Sequence, residues 1–232
     1  MDFLSLIFPK YCINCKKLGS YLCDNCFSYL SFDTQGLCVV CNHVSINSLT
    51  HPKCTTKYTI DGVFSSISYK GVAKKLVYQF KYKPYLSDLN TLLIDLFFEG
   101  IIQKEEFSNI YQNLKTDPIL VPIPLYSSKL KSRGYNQAEI LSKGLSQKLN
   151  LKVLECLKRV KKTRSQVGLS QKERKENISG AFSIIPNIVI PEYSNIFLID
   201  DVFTTGSTLN EAAKTLKKAG AKGVWGLTLA RD

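Results

Sequence analysis

Thirteen residues near the carboxyl end, Ile196-Phe197-Leu198-Ile199-Asp200-Asp201-Val202-Phe203-Thr204-Thr205-Gly206-Ser207-Thr208, constrain the fold more than any other part of this chain. Four consecutive apolar residues predict a strand buried on both faces, as in the interior of a parallel sheet. Such a strand delivers Asp200 and Asp201 to the carboxyl end of the sheet, where ligands of open α/β folds collect. Small hydroxyl residues and Gly206 follow, and Leu209 to Ala219 has helical apolar spacing. Thr204 to Thr208 can then point backbone N–H groups at a phosphate from a helix N-terminus. The two acids would face sugar hydroxyls, directly or through Mg2+. The competing reading is an ordinary strand, turn and helix cap; a lone Asp-Asp pair would not exclude it, but the full pattern favours a sugar phosphate site.

The remaining periodicity agrees with a sheet of this kind. Val63 to Tyr69 alternates like a strand, and Val72 to Tyr82 and Leu86 to Ile102 have helical spacing, with Pro84 between them to separate two helices. Residues 103–117 are polar and predict a short helix or connector. Ile119 to Ile123 reads as a strand closed by Pro122 and Pro124, Tyr135 to Leu149 as a helix, and Val224 to Leu229 as a late strand. Alternating strands and helices predict an α/β fold with a mainly parallel sheet flanked by helices. A chain of 232 residues with 44% hydrophobic content can bury a full core, so we expect a main domain over 59–232 and a small module over 1–58.

The small module is set by cysteine spacing. Seven of the eight cysteines lie between Cys12 and Cys54, six of them in Cys-x2-Cys pairs and the seventh spaced likewise from His51, which in a chain this large favours metal over disulfides. Cys12, Cys15, Cys23 and Cys26 supply four soft ligands on two knuckles, the set that a tetrahedral structural Zn2+ needs. Cys38, Cys41, His51 and Cys54 repeat the plan with one imidazole and predict a second zinc; the alternative is a half-ribbon with merely buried thiols. His43 competes as a ligand but is too near Cys41 for easy tetrahedral geometry. Of the aromatic residues here, Tyr11, Tyr21, Phe27, Tyr29, Phe32 and Tyr58, most are expected to form the mini-core of so small a ribbon; the alternative is that exposed ones stack single-stranded bases. Cys156 stands alone as an expected small core residue.

The formal charge is +12, and residues 127–176 carry 14 Lys or Arg against 4 Asp or Glu. Such a patch suits nucleic acid or a concentrated polyphosphate equally. No apolar run approaches the roughly 20 residues of a membrane span. Met1 to Pro9 has no basic start or small-residue cleavage site, so a cytoplasmic location is expected. A glutamine-dependent amidotransferase is disfavoured, because Asp2 follows Met1 where such enzymes expose a cysteine. A kinase or ATPase is disfavoured because no Gly-rich loop ends in Lys-Ser or Lys-Thr.

The Ile196–Thr208 segment resembles the phosphoribosyl pyrophosphate (PRPP) motif of type I phosphoribosyltransferases. Further residues extend the likeness: Val121-Pro122-Ile123-Pro124-Leu125, Lys129, Arg133-Gly134-Tyr135-Asn136-Gln137, then Thr163-Arg164-Ser165-Gln166, Gly168-Leu169-Ser170, Arg174, Asn177 and Gly180-Ala181-Phe182. With the paired cysteines, they make the chain resemble the ComF family, a branch of phosphoribosyltransferase-like proteins associated with natural DNA uptake. The resemblance covers nearly the whole chain. It departs at Phe203, where many members carry an aliphatic residue, and at Tyr126 and Lys129, where relatives often show His and Arg.

The resemblance implies a type I phosphoribosyltransferase-like sheet with a zinc ribbon ahead of it. It implies that Asp200 and Asp201 hold ribose hydroxyls while Val202, Phe203, Thr204, Thr205, Gly206, Ser207 and Thr208 complete the PRPP loop, with Mg2+ accompanying the ligand. Residues 122–133 would form the pyrophosphate loop and residues 161–174 a mobile hood. Lys129, Arg133 and Arg174 would bind pyrophosphate; Asp200, Asp201, Arg133 and Arg164 form the expected catalytic set. Three functional classes stay open: a phosphoribosyltransferase with an unknown acceptor, a non-catalytic PRPP-binding module handling single-stranded DNA beside a competence helicase or channel, and a zinc-dependent nucleic-acid adaptor.

Overall fold

The computed structural model describes residues 9–82, 87–163 and 171–232. Its centre is a four-stranded sheet of β1 (Gly62–Ser68), β6 (Gly223–Arg231), β5 (Asn195–Phe203) and β2 (Ile119–Pro122), in that order, with every pairing parallel. A strand between two partners has no free edge and must be apolar on both sides. β5 meets this condition by alternation. Phe197 and Ile199 point into one core with Phe64, Leu227 and Leu229, whereas Ile196 and Leu198 point into a second core with Val224.

Helices cover both faces. The first core is closed by α2 (Gly71–Tyr82), α3 (Ser87–Ile102) and α6 (Gln137–Leu149), which contribute Leu76, Leu93 and Leu141 among others. Preceding them in the chain is α1, the short turn Asp24–Phe27; α4 (Glu105–Asn113) sets Phe107 on Phe64 and Phe197, with ring centroids 5.8 and 5.6 Å away. The second core is closed by α8 (Ser207–Lys218), whose Leu209, Ala212, Ala213 and Leu216 form one stripe at helical spacing. Between α4 and α6 lies α5 (Ser127–Arg133), and ahead of α8 lies α7 (Gln171–Ile178).

Two elements differ from the sequence expectation. The stretch 122–133, expected to be a rigid loop, contains the two-turn α5, which ends where Gly134 takes a left-handed conformation at φ 84° and donates its N–H to the Leu130 carbonyl. β3 (Leu157–Arg159) and β4 (Phe182–Ile184) form a short antiparallel pair outside the main sheet that the periodicity did not predict; of the expected hood, residues 161–174, only 161–163 and 171–174 are among the described residues. Pro84, Leu86, Arg164, Ser165, Gln166, Gly168, Leu169 and Ser170 lie outside the described residues, as does all but Pro9 of the Met1 to Pro9 stretch expected to carry no targeting signal.

The amino-terminal segment docks on both faces. Cys12, Leu22 and Cys26 belong to the first core, and Val39 and Ile60 to the second. Its aromatics split: Tyr21 and Phe32 pack against the first core, whereas Tyr11, Phe27 and Tyr29 are exposed, contrary to a closed mini-core. Cys156 is fully buried. Among the described residues no helix is long and apolar enough to cross a membrane.

Candidate functional site

A cleft of about 870 Å³ opens at the carboxyl ends of β5 and β2. β5 carries Asp200 and Asp201 to its floor, so the strand continues through the acids instead of stopping before them. Asp200 accepts the Asp201 N–H at 2.9 Å. Burial first, and then the charge of Asp201, push the Asp200 carboxyl up to about 7, against the pull of that N–H, Lys81 and Arg159. Asp201 pairs with Lys81 at 3.1 Å; their side chains are 13% and 22% exposed.

The turn after β5 is built around Gly206. Its φ of 68° is left-handed, and a side chain there would strike Val39 and Phe203. The chain then enters α8, so the N-terminal turn of a 12-residue helix faces the cleft, where Thr204 and Thr208 line the wall. Thr205 and Ser207 hydroxyls lie 3.0 Å apart. Val202 lines the cleft, but Phe203 is buried beneath Gly206 with the Arg231 guanidinium 5.5 Å from its ring centre. Phe203 therefore shapes the loop from below, and any ligand contact here falls to its neighbours.

The opposite wall comes from the Arg133-Gly134-Tyr135-Asn136-Gln137 run, each member of which has a definable task. Arg133 donates to Gln137 Oε1 and lies 5.6 Å from the Tyr82 ring centre. Gly134 ends α5. The Tyr135 hydroxyl donates to the Phe80 carbonyl, which fixes the last turn of α2 next to Lys81. Asn136 caps α6 by accepting the Ala138 N–H at 3.2 Å and donates to the Ile123 carbonyl at 3.0 Å, tying helix to strand end. Gln137 is 2% exposed, and its Nε2 has no hydrogen-bond partner among the described residues.

Cations crowd this space. Lys129 is held below the usual ammonium range by burial, then by Arg133, Lys81 and Arg159, with Asp201 opposing. Arg159, from β3, is lowered by burial and partly restored by Asp200. Arg174, on α7, reaches Thr204 Oγ1 at 3.4 Å. Mutual repulsion among confined cations is relieved by a multivalent anion, so the cleft suits a polyphosphate next to a polyol held by carboxylates.

Of the expected residues, the cleft gathers Asp200, Asp201, Val202, Thr204, Thr208, Lys129, Arg133 and Arg174; Thr205, Gly206 and Ser207 form the turn behind them. Sequence reasoning missed Lys81 and Arg159. Both come from distant elements and carry no local motif.

Each cysteine group converges. In Cys12, Cys15, Cys23 and Cys26, and in Cys38, Cys41, His51 and Cys54, the ligand atoms lie within 4.8 Å of one another. Tetrahedral Zn2+ with Zn–S of about 2.3 Å places sulfurs about 3.8 Å apart, and Cys15 and Cys23 Sγ are 3.5 Å apart. Burial opposes ionisation of Cys12, yet backbone N–H donors bring its thiol down to about 6. Cys26, despite the Asn14 amide, is pushed up to about 11 by burial and the other three thiols. A dication removes that conflict. In the second group, His51 Nε2 donates to the Val44 carbonyl at 2.9 Å, which leaves Nδ1 as the lone pair, 3.4 Å from Cys41 Sγ. Both donor sets fit structural zinc. His43 is outside the set.

Residues 130–231 match the phosphoribosyl transferase domain family. The chain is 46% identical over 120 residues to Competence protein F of Haemophilus influenzae, covering 50% of this chain and 52% of that one. It is 28% identical to Competence protein ComFC of Bacillus subtilis over 96% of this chain and 85% of the relative. DNA utilization protein YhgH of Escherichia coli matches at 34%, over 45% of each chain. The match spans about half the length of the Haemophilus and Escherichia relatives. An adenine phosphoribosyltransferase structure aligns with a TM-score of 0.39 at 18% identity, over 63% of this chain and 71% of that one, too distant to carry an argument.

Proposed function

Because this chain belongs to the ComF family of competence and DNA-utilization proteins, with a phosphoribosyltransferase domain and two cysteine clusters compatible with zinc, we propose that its cleft binds Mg-PRPP. One observation supports this most: Asp200 and Asp201 share a cleft with the α8 N-terminus and with cations of three other elements, Lys81, Arg133 and Arg159. In this reading the carboxylates take ribose hydroxyls, and the 204–208 turn takes the 5-phosphate through backbone N–H groups. Lys129, Arg133 and Arg174 take the pyrophosphate. Arg164 joins them from the hood. Magnesium bound with the ligand supplies further neutralisation of its phosphate oxygens.

Transfer to an acceptor follows from the same arrangement. A nucleophile adds at carbon 1 of the ribose as the bond to pyrophosphate breaks, and the pyrophosphate leaves with its electron pair toward the Arg133 wall. In the same reading residues 1–58 form the ribbon module, residues 59–232 form the transferase-like domain, and the protein works in the cytoplasm. A second reading, a non-catalytic adaptor for single-stranded DNA beside a competence helicase, is favoured by the net +10 of residues 127–176 and by the relatives' names.

Pyrophosphate release from Mg-PRPP, measured against a panel of nucleobases and other amines, separates the two. Release that requires an acceptor supports transfer. Binding of Mg-PRPP with no release for any acceptor favours the adaptor.

A further inference from the structure

We infer that Val39 is a positioning residue for the 204–208 turn and that metal in the Cys38, Cys41, His51 and Cys54 cluster holds it in place. The ligand-binding part of this inference rests on the function proposed above; the mechanical part does not.

Val39 sits in the knuckle between Cys38 and Cys41, next to a ligand thiol, yet it is 2% exposed and belongs to the second core with Phe203 and Leu209. Its side chain lies where a Cβ on Gly206 would be. The tightest point of the turn is therefore closed by two residues: Phe203 from its own strand and Val39 from the amino-terminal segment. The next knuckle residue reaches the other wall. The Val40 carbonyl accepts from Lys175 Nζ at 3.0 Å, and Lys175 follows Arg174, whose guanidinium reaches Thr204. One knuckle thus touches the turn from below and, through α7, the cation above it. The Lys175 contact is exposed and weak, so the buried Val39 contact carries most of the effect.

The knuckle is a small turn carried by the Leu37–Val44 antiparallel bridge, with the Val39 side chain packed in the second core. Cys38 and His43 form a short backbone turn, with Cys38 N–H on the His43 carbonyl at 2.9 Å and Asn42 N–H on the Cys38 carbonyl at 2.8 Å. Metal bound to Cys38 and Cys41 on either side of Val39 would add a further constraint on where this turn sits. The second cluster therefore has a task that the first, docked on the opposite core, does not share.

The test uses the full-length metal-loaded protein and two variants, Val39→Ala and Cys41→Ser. Zinc per chain, deuterium uptake over residues 203–209 and Mg-PRPP affinity are measured on each. Val39→Ala is expected to keep the wild-type zinc content, exchange faster over 203–209 and bind Mg-PRPP about tenfold more weakly. Cys41→Ser is expected to lose one zinc and show the same faster exchange. Wild-type exchange over 203–209 in Val39→Ala would overturn the inference, whether or not Cys41→Ser folds. Faster exchange in a protein whose wild type binds no Mg-PRPP would support the mechanical link and overturn the ligand assignment instead.

Discussion

Asp200 shows what the cleft costs the fold. Its carboxyl ionises near pH 7 when folded, against about 4 for an ordinary aspartate, because burial and Asp201 disfavour its charge. The folded state therefore holds this proton more tightly than the unfolded chain, and stability from this group falls as pH rises from about 4 to 7. Above that the whole penalty is present. Asp200→Asn should melt above the wild type at pH 8, with the difference shrinking as pH falls toward 5; equal differences at both pH values would contradict the assignment. Lys81 works in the opposite sense. Removing it leaves Asp201 mostly buried and unpaired, so Lys81→Met should cost about 1–3 kcal/mol. Lys81→Met with Asp201→Asn should cost less than the two single changes together. Additive losses in denaturant titrations would show that the pair is not coupled. Asp200 and Asp201 were legible in the sequence because four apolar residues announce their strand. Lys81 was not, since it reaches Asp201 from a helix 120 positions earlier, and in the sequence it is one lysine among many on a polar face.

At the scale of elements, the strands and long helices were legible because the period of their apolar residues is the period of the structure. The bounds of α2 and α3 lie within about a residue of the expected ones, and the β5 core strand is where its run of four apolar residues puts it. α5 was not legible. Its Ser-Ser-Lys-Leu-Lys-Ser-Arg has a single large apolar residue, itself exposed, and its N-cap, Tyr126, makes no side-chain cap bond. The helix forms because β2 ends before it and the Gly134 turn closes after it. β3 and β4 have three residues each, too few to show alternation. Asn136 joins two elements that were legible, as the cap of α6 and a donor to the Ile123 carbonyl just past β2. Asn136→Ala should lower stability by about 1–2 kcal/mol and weaken Mg-PRPP binding, since the same bonds position Arg133 and Gln137. Unchanged affinity in a destabilised Asn136→Ala would confine the residue to folding.

For the whole molecule, the paired cysteines and the sugar phosphate motif, at opposite ends of the sequence, meet in one structure. The first cluster docks on the core that closes over α2 and α3; the second touches the turn that follows β5. The spacing of the cysteines foretold both clusters but not their docking, because contacts such as Val39 with Gly206 depend on how the sheet is ordered. Net charge was similarly incomplete. The +10 of residues 127–176 is legible, but only the fold shows that Lys129, Arg133, Arg159 and Arg174 line one cleft with the two acids. The central claim is that this convergence is a Mg-PRPP site. Calorimetric titration of Mg-PRPP into the wild type and into Asp200→Asn with Asp201→Asn, with and without Mg2+, tests it most directly. The account predicts Mg2+-dependent binding to the wild type that disappears in the folded double variant. No binding to the folded wild type, or equal affinity in the variant, would contradict it.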